Sequence, residues 1–278
     1  MPLTDQERND LKQAALKNRR DLVSLTGWSG GAHAGGSLSM MDIVTILYWK
    51  YLRIDPENPD WEERDRFVLS KGHGGCGYSV VLANRGFFPW DTLKSYNETG
   101  SMLGMHLDSK KVPGCEVSTG SMGHGLGESV GLALAARVLK QDWKVYCIIG
   151  DGESCEGSIW EAAMSAAHYS LDNLIVFLDR NRLMIDGPTE EVMRLEPVAD
   201  KWTAFGFETR EIDGHDLDVL AENIEWAQTV QGKPVMLVCD TIKGKGVDFM
   251  ENEPGWHYGS LSSELVDKAL ASLERTYA

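Results

Sequence analysis

The sequence has few cysteines and no pattern that would pair them. Five occur among 278 residues, scattered without a Cys-x-x-Cys pair, at Cys76, Cys115, Cys147, Cys155 and Cys239. An odd, scattered set argues against a disulfide framework and indicates a reducing compartment. His73 lies three positions before Cys76, but no second ligand pair follows, which argues against a zinc site.

Long apolar runs and an excess of basic residues are also lacking. The most apolar helix-like run, residues 130–139, is too short to cross a bilayer, and residues 1–20 lack the apolar core of a signal peptide. Lys and Arg number 27 against 42 Asp and Glu, a net charge of −15 that would repel nucleic acid. We therefore expect a cytoplasmic protein that binds neither membrane nor nucleic acid and whose anion sites are compact.

The chain does have ample apolar material, 42% of residues, for a sizeable core. Its patterning predicts strands at 66–69, 144–149, 174–178, 207–212 and 234–240. Helices are predicted at 4–23, 42–51, 128–139, 159–170, 216–229 and 263–277. A capping box, Thr4 to Glu7, opens the first helix, and Ser39 with Asp42 is expected to cap the second.

Strands separated by helices predict an α/β fold, with a mostly parallel central sheet and helices on both faces. Because no repeat, linker or charge block divides residues 1–278, we expect a single domain.

Two oxygen-bearing side chains follow consecutive strands in the second half. Asp151 stands in Gly150-Asp-Gly152, and Asn181 ends Leu178-Asp-Arg-Asn181. Residues just past the carboxyl ends of parallel strands line the ligand crevice, so these two should emerge side by side. A carboxylate, an amide oxygen and the Leu183 carbonyl would suit Mg²⁺, which takes its other ligands from phosphate and water. Gly152 would let a ligand oxygen approach its N–H, and the following helix would direct its N-terminus at the anion. The simpler interpretation is a tight turn capped by Asp151, with Asn181 in an unrelated turn.

Histidines set among glycines and other small residues form a second pattern. His33 lies in Ser29-Gly-Gly-Ala-His-Ala-Gly-Gly36, His73 in Ser70-Lys-Gly-His-Gly-Gly, and His257 in Gly255-Trp-His-Tyr-Gly. His106, in Gly104-Met-His-Leu-Asp, is a weaker fourth. Imidazole exchanges protons near neutral pH and hydrogen-bonds phosphate or sugar oxygens. Any one histidine would more simply be structural, but the shared setting favours a common site.

These motifs resemble a known family. Gly150-Asp-Gly152 followed by Asn181 is similar to the signature of thiamine-diphosphate enzymes, in which Asp151 and Asn181 correspond to side-chain ligands of Mg²⁺ and Leu183 to the backbone ligand. Five loops resemble transketolase in particular: Arg64 to Gly74, Ser118-Thr-Gly-Ser-Met-Gly-His-Gly125, Gly150-Asp-Gly-Glu-Ser-Cys-Glu-Gly157, Thr241-Ile-Lys-Gly-Lys-Gly246, and Trp256-His257. The resemblance runs from the His33 loop to His257 and implies the thiamine-diphosphate-binding fold, specifically its diphosphate-binding domain.

The resemblance also assigns roles to residues. It implies that the cofactor, thiamine diphosphate, contacts His73, Gly120, Ser121, Met122, Gly152, Asn181, Lys243 and His257. His33, His106 and His257 would face the sugar hydroxyls and shuttle protons. Glu156 would join a carboxylate network between active sites across a subunit interface; without the resemblance, it is more simply an acidic residue in the first turn of a helix. Mg²⁺ would be the metal, with Ca²⁺ or Mn²⁺ as substitutes.

Three positions depart from the transketolase pattern. Ala34 replaces the usual proline after the first histidine, Gly36 stands where serine or a small polar residue is common, and His124 replaces a glutamine. These changes leave the cofactor site intact and the sugar specificity open.

The resemblance implies that part of the active site lies on another chain. In full-length transketolases, a pyrimidine-binding domain supplies the glutamate that activates the cofactor, and a third domain follows it. We expect both on a separate C-terminal subunit, in an α₂β₂ assembly that transfers a two-carbon ketol unit from a ketose phosphate donor to an aldose.

Two other interpretations remain open. Another thiamine-diphosphate enzyme would share the metal motif: the α subunit of a 2-oxoacid dehydrogenase or a protein like deoxyxylulose-phosphate synthase. The His33 loop and Trp256-His257 favour transketolase over both. A non-catalytic assembly subunit would keep the fold, although the metal pair and all the histidine loops are present.

Overall fold

A computed structural model describes residues 2–277, in which helices alternate with the strands of one five-stranded sheet. The strands are β1 Arg66–Leu69, β2 Val145–Gly150, β3 Leu174–Arg180, β4 Glu208–Asp213 and β5 Val235–Asp240. The helices are α1 Asp5–Trp28, α2 Ala34–Ser39, α3 Met41–Ile46, α4 Gly75–Arg85, α5 His124–Leu139, α6 Gly157–His168, α7 Thr189–Val192, α8 Val198–Ala204, α9 Leu217–Thr229 and α10 Ser263–Tyr277. Leu47–Tyr51 forms a π-helical turn directly after α3, and Gly152–Cys155 forms a 3₁₀ turn directly after β2.

The sheet is parallel throughout its named strands. Its order is β1-β2-β3-β5-β4, so β2 and β3 are neighbours at the centre. Their register places Gly150 opposite Asp179, which sets their carboxyl ends side by side. The loops that leave these ends therefore meet above the middle of the sheet, where ligands of open α/β folds bind.

Two apolar layers sandwich the sheet, because alternate residues of each strand face opposite sides. Phe67, Ile148, Phe177 and Leu237 face a core shared with α1, α3, α4, α9 and α10. Val68, Ile149, Val176 and Met236 face a second core shared with α5, α6 and α8. This confirms the predicted α/β fold with helices on both faces. Among residues 2–277, no helix combines the length and the apolar character needed to span a bilayer.

The regular elements were predicted closely where hydrophobic periodicity is clean. β1 and α10 match their predicted limits, the other strands shift by one or two residues, and the Thr4–Glu7 capping box is present. α1 continues five residues beyond the predicted end at position 23, to Trp28. α5 begins at His124 rather than at 128, inside the glycine-rich segment.

The short helices α7 and α8 were not predicted, and the other errors lie in the glycine-rich segments. The prediction that Ser39 caps a helix over 42–51 is wrong: Ser39 ends α2, and its hydroxyl donates to the Gly36 carbonyl and to Asp179. α2 and α4 were not predicted, since glycine disfavours helix interiors. Close packing overrides that preference: a Cβ on Gly35 would lie 2.7 Å from the Trp256 carbonyl oxygen, and one on Gly77 2.7 Å from Ser37.

Candidate active site

Asp151 and Asn181 leave the carboxyl ends of the two central strands, as predicted. Both are buried, at 3% and 8% exposure. Asp151 Oδ2 accepts a hydrogen bond from the Arg182 N–H at 2.5 Å, and Asn181 Oδ1 accepts one from the Leu183 N–H at 3.1 Å. The two oxygen donors are thus tied to consecutive residues of one loop, rather than lying on opposite edges of the sheet.

Asp151 is held as a buried acid rather than as a helix cap. Its side chain caps no backbone group of the 3₁₀ turn that follows, and α6 begins only at Gly157, so its N-terminus does not follow Gly152 directly. Burial raises the Asp151 pKa to about 7, and the Arg180 guanidinium, 3.1 Å away, only partly opposes that rise. A divalent cation beside this carboxylate would favour its ionised form. Asn181 does close a turn onto Leu183, as in the simpler interpretation.

The glycine-flanked histidines converge on one point. The His33 ring centroid lies 5.3 Å from that of His73, 5.2 Å from that of His257 and 6.4 Å from that of His106. His73 and His257 stack at 5.2 Å. A β-bridge between Ala32 and Gly259 joins the His33 loop to the His257 loop, which explains how residues distant in sequence come together.

The electrostatic setting keeps the imidazoles of His33, His73 and His257 neutral. Burial, with a further contribution from the nearby lysines, lowers the pKa of His33 to about 4 and that of His257 to about 3. Burial likewise holds the His73 pKa well below its ordinary value. Lys243 donates a 3.0 Å hydrogen bond to His257 Nδ1, so the proton of His257 resides on Nε2. At neutral pH the cluster therefore offers neutral donors and acceptors.

A buried ion pair beneath the cluster was not predicted. Lys71 Nζ donates to Asp179 Oδ2 at 2.5 Å and to the Gly36 carbonyl at 2.9 Å, and the Ser39 and Thr241 hydroxyls also donate to Asp179. Burial opposes ionisation of Asp179, but Lys71 and these hydroxyls hold its pKa below the ordinary value. The pair ties the His33 loop and the Lys243 loop to β3. A charged residue in the otherwise apolar β3 was the available sequence signal.

Glu153 forms a second unpredicted anchor. Its Oε1 accepts from the Ser70 hydroxyl at 2.5 Å and from the Gly123 N–H at 2.9 Å, and its Oε2 accepts from the Gly150 N–H at 3.1 Å. Burial raises the Glu153 pKa despite these hydrogen bonds. One carboxylate thus joins the loop before His73, the glycine-rich loop and the end of β2.

A cleft of about 350 Å³ opens over these groups. Its walls include the predicted site residues His33, His73, Gly120, Met122, Asp151, Gly152, Asn181, Leu183, Lys243 and His257. Three predicted residues lie beside the walls instead. His106 packs against Gly120, where an added Cβ would be 3.0 Å from its ring. Ser121 is exposed in the same loop, and Glu156 is exposed next to Gly123.

Comparison with known proteins gives this cleft its context. Residues 16–274 match the family described as transketolase, thiamine diphosphate binding domain. The chain belongs to the transketolase family. It is 44% identical, over 97% of its length and 98% of the relative's, to the 6-deoxy-6-sulfo-D-fructose transketolase subunit of Clostridium sp. (strain MSTE9). It is 43% identical, over 94% of its length and 92% of the relative's, to one of the subunits of the apulose-4-phosphate transketolase of Phocaeicola vulgatus.

Solved transketolases have the same fold. The Leishmania mexicana transketolase superposes with a TM-score of 0.89 at 28% identity, covering 96% of this chain and 44% of that one. The Campylobacter jejuni transketolase superposes with a TM-score of 0.89 at 29% identity, covering 95% of this chain and 43% of that one. This chain therefore spans less than half the length of these solved transketolases.

The three departures from the transketolase pattern differ in position. Ala34 is the buried first residue of α2. Gly36 lines the cleft, and a Cβ there would lie 3.3 Å from Lys71 Nζ and 3.6 Å from His73 Nε2, so glycine leaves room beside His73. His124 is exposed at the start of α5 and is outside the cleft wall.

The donors present fit thiamine diphosphate with a hard divalent cation. Asp151, Asn181 and the Leu183 carbonyl offer only oxygen. Among residues 2–277, no three His, Cys, Asp or Glu side chains gather as a metal site, so the ion would draw other ligands from phosphate and water, as Mg²⁺ does. Nδ1 of His33 is buried without a hydrogen-bond partner in the described structure, which leaves it available to a ligand.

Proposed function

We propose that this chain is the diphosphate-binding subunit of a two-chain transketolase. It would transfer a two-carbon ketol unit from a ketose phosphate donor, or another anionic ketose, to an aldose acceptor. The cofactors would be thiamine diphosphate and Mg²⁺, with Ca²⁺ or Mn²⁺ as substitutes for the metal.

One observation carries the proposal: a single cleft holds both the oxygen donors and the neutral histidines. Asp151, Asn181 and Leu183 line one part, and His33, His73 and His257 line another. The oxygen donors suit a metal-bridged diphosphate, and the histidines suit a polyhydroxylated substrate. A phosphate site alone would not need three neutral imidazoles beside it.

The residues of this chain would bind and orient the cofactor and exchange protons with the substrate. Asp151, Asn181 and Leu183 would hold the metal, and Lys243 would add positive charge near the diphosphate, since its pKa, lowered by burial to about 8, leaves it mostly protonated at neutral pH. Gly120, Ser121 and Met122 would line the pyrimidine end, with Gly152 and His73 contacting the diphosphate. When bound, thiamine diphosphate supplies the carbanion that breaks and re-forms the carbon–carbon bond.

The neutral histidines would donate protons to, and accept protons from, the hydroxyl groups of the sugar. His257 carries its proton on Nε2 and can donate it to a developing alkoxide, while His33 has a free ring nitrogen that can accept or donate. His106, beside His33, would contact a more distant hydroxyl. Such groups act best when their charge state is set before the substrate arrives.

A partner subunit would complete the active site. The relatives named above are subunits by name, and the solved transketolases are more than twice as long. Large apolar side chains at the cleft mouth, Met122 at 36% and Ile185 at 62% exposure, support a covering surface. We infer a C-terminal subunit with the pyrimidine-binding domain, in an α₂β₂ assembly in which the exposed Glu156 links active sites.

Two relatives guide the choice of substrate. By name, one acts on 6-deoxy-6-sulfo-D-fructose and the other on apulose-4-phosphate, ketoses that carry an anionic group. We infer that the donor here is likewise an anionic ketose.

The test is reconstitution. The chain is purified alone and with the product of the neighbouring reading frame, then assayed for ketol transfer from ketose phosphates, sulfonated ketoses and 2-oxoacids. The proposal predicts activity with ketoses in the complex only. Activity with 2-oxoacids would favour another thiamine-diphosphate enzyme, and full activity of the lone chain would refute the two-chain arrangement.

A further inference from the structure

Arg180, the last residue of β3, is a buried cation next to the proposed metal site. Its side chain is 3% exposed. Nη1 donates to Asp151 Oδ1 at 3.1 Å and to the Thr189 hydroxyl at 2.9 Å. Nη2 donates to Glu190 at 3.3 Å and to Glu196 at 2.8 Å. One guanidinium thus joins Asp151 to the segment 189–196.

The positive charge of Arg180 does not by itself favour a metal ion at Asp151. By Coulomb's law alone, a fixed cation beside Asp151 repels a divalent ion and weakens its binding. The guanidinium instead holds Oδ1 of Asp151 by one directed hydrogen bond from Nη1, and its plane is fixed because Nη2 is bonded to Glu190 and Glu196. Oδ1 is held by Arg180 and Oδ2 by the Arg182 N–H, so the carboxylate is oriented from both sides.

The other end of the guanidinium holds the segment 189–196, which follows the cleft-lining residues Leu183 to Asp186 in the chain. Glu190 Oε1 accepts from the Leu195 N–H at 3.1 Å, and the Thr189 N–H donates to the Arg182 carbonyl at 2.9 Å. The segment 189–196 is therefore braced against residues 181–184, which include Asn181 and Leu183. Arg180 connects the proposed ligands on both strands.

We propose that Arg180 is a positioning residue, which orients Asp151 for the metal and ties that orientation to the segment 189–196. The inference rests on the proposed function, since it requires that Asp151 bind the ion. Outer residues that orient metal ligands typically change metal affinity about 10- to 100-fold when replaced. Lysine keeps the charge of Arg180 but loses the planar guanidinium, so it separates positioning from electrostatics.

The experiment measures Mn²⁺ binding to this chain in complex with its partner subunit and saturating thiamine diphosphate, from the loss of the free Mn²⁺ signal in electron paramagnetic resonance. Arg180→Lys should weaken Mn²⁺ binding about 10-fold or more. Arg180→Met should also weaken it, whereas a purely electrostatic role predicts tighter binding. Arg210→Lys on β4, whose guanidinium contacts Asn223 and Trp226, is the matched control and should bind as wild type.

A second variant covers the case in which Arg180→Lys fails to fold. Glu196→Gln changes a half-exposed side chain that reaches Asp151 only through Arg180, and it should weaken Mn²⁺ binding roughly two- to threefold. In the absence of metal, trypsin should cut after the exposed Arg194 faster in the Arg180 variants than in wild type, because the segment 189–196 is then less firmly held.

The outcomes separate the inference from the function. If wild type, Arg180→Lys and Glu196→Gln all bind Mn²⁺ equally well, the positioning role of Arg180 is wrong, but the proposed metal site stands. Tighter binding by Arg180→Met would replace it with a charge effect. Wild type that binds no Mn²⁺ with thiamine diphosphate would overturn the metal site and the inference together.

Discussion

Lys243 Nζ lies 3.0 Å from Nδ1 of His257 and donates a hydrogen bond to it. The contact fixes the tautomer of His257, and the lysine charge lowers the His257 pKa further below the value set by burial. The lysine thereby keeps His257 neutral, with its proton on Nε2, in the unliganded chain.

Replacing Lys243 with methionine should remove both the hydrogen bond to His257 and the positive charge that lowers its pKa. The His257 pKa should rise from about 3 toward its ordinary value, although burial will keep it depressed. Thiamine diphosphate affinity should fall about 10- to 100-fold, since a charge-assisted contact to phosphate is worth about 1.5–3 kcal/mol. Histidine NMR titration and calorimetry measure the two effects. Lys233→Met, which removes an exposed partner of Glu208, is the control. An unchanged His257 titration would contradict the assigned contact.

The histidine cluster should make the apoprotein sensitive to mild acid. The folded-state pKa values of His33 (about 4) and His257 (about 3) lie below the unfolded value near 6.5. The unfolded chain therefore binds more protons as pH falls through 6.5, and stability is lost between pH 6.5 and about 4. Each histidine contributes at most about 1.4 kcal/mol per pH unit, less here because both are partly exposed.

Urea unfolding at pH 7, 6 and 5 tests this directly. Because the raised pKa of Asp151 acts in the opposite direction, the comparison is between wild type and His33→Gln/His257→Gln. The double variant should lose less stability between pH 7 and 5 than wild type does. Equal losses in the two proteins would show that these histidines do not titrate as assigned.

The Lys71–Asp179 ion pair and the Glu153 carboxylate beneath the cleft were not predicted from the sequence. That Asp151, Asn181 and the glycine-flanked histidines lie at one cleft could be predicted, because strand ends and small neighbouring residues are visible in a linear sequence. Lys71 and Asp179 could not, since a buried ion pair between residues far apart in the chain depends on packing that periodicity does not encode. The same limit applies to α2 and α4, where close contacts of Gly35 and Gly77 outweigh the low helix propensity of glycine.

Glu153→Gln should destabilise the protein and loosen the glycine-rich loop together. An amide nitrogen cannot accept the hydrogen bonds from Ser70, Gly123 and Gly150 that the two carboxylate oxygens receive. We expect a loss of about 1–3 kcal/mol in the free energy of unfolding, measured in urea. Glu128→Gln, exposed on α5, should be neutral. Wild-type stability in Glu153→Gln would mean that this carboxylate does not anchor the loops.

Replacing Asp151, the proposed metal ligand, should make thiamine diphosphate binding independent of Mg²⁺. Asp151→Asn keeps the shape of the side chain but loses its charge, so Mg²⁺ should no longer strengthen thiamine diphosphate binding. In wild type, EDTA should weaken cofactor binding about 100-fold or more, whereas in Asp151→Asn it should have little effect. Calorimetry with and without EDTA measures both. Asp200→Asn, exposed on α8, is the control and should respond to EDTA as wild type does.

The central claim concerns where a divalent ion and a diphosphate meet on this chain. Its most direct test is a crystal structure of the two-chain complex with thiamine diphosphate and Mn²⁺, in which the anomalous signal of manganese locates the ion. We predict one peak about 2.1–2.2 Å from an oxygen of Asp151, Oδ1 of Asn181 and the Leu183 carbonyl, with diphosphate oxygens completing the shell. An ion bound elsewhere, or a diphosphate outside the cleft of His73 and Lys243, would contradict the account.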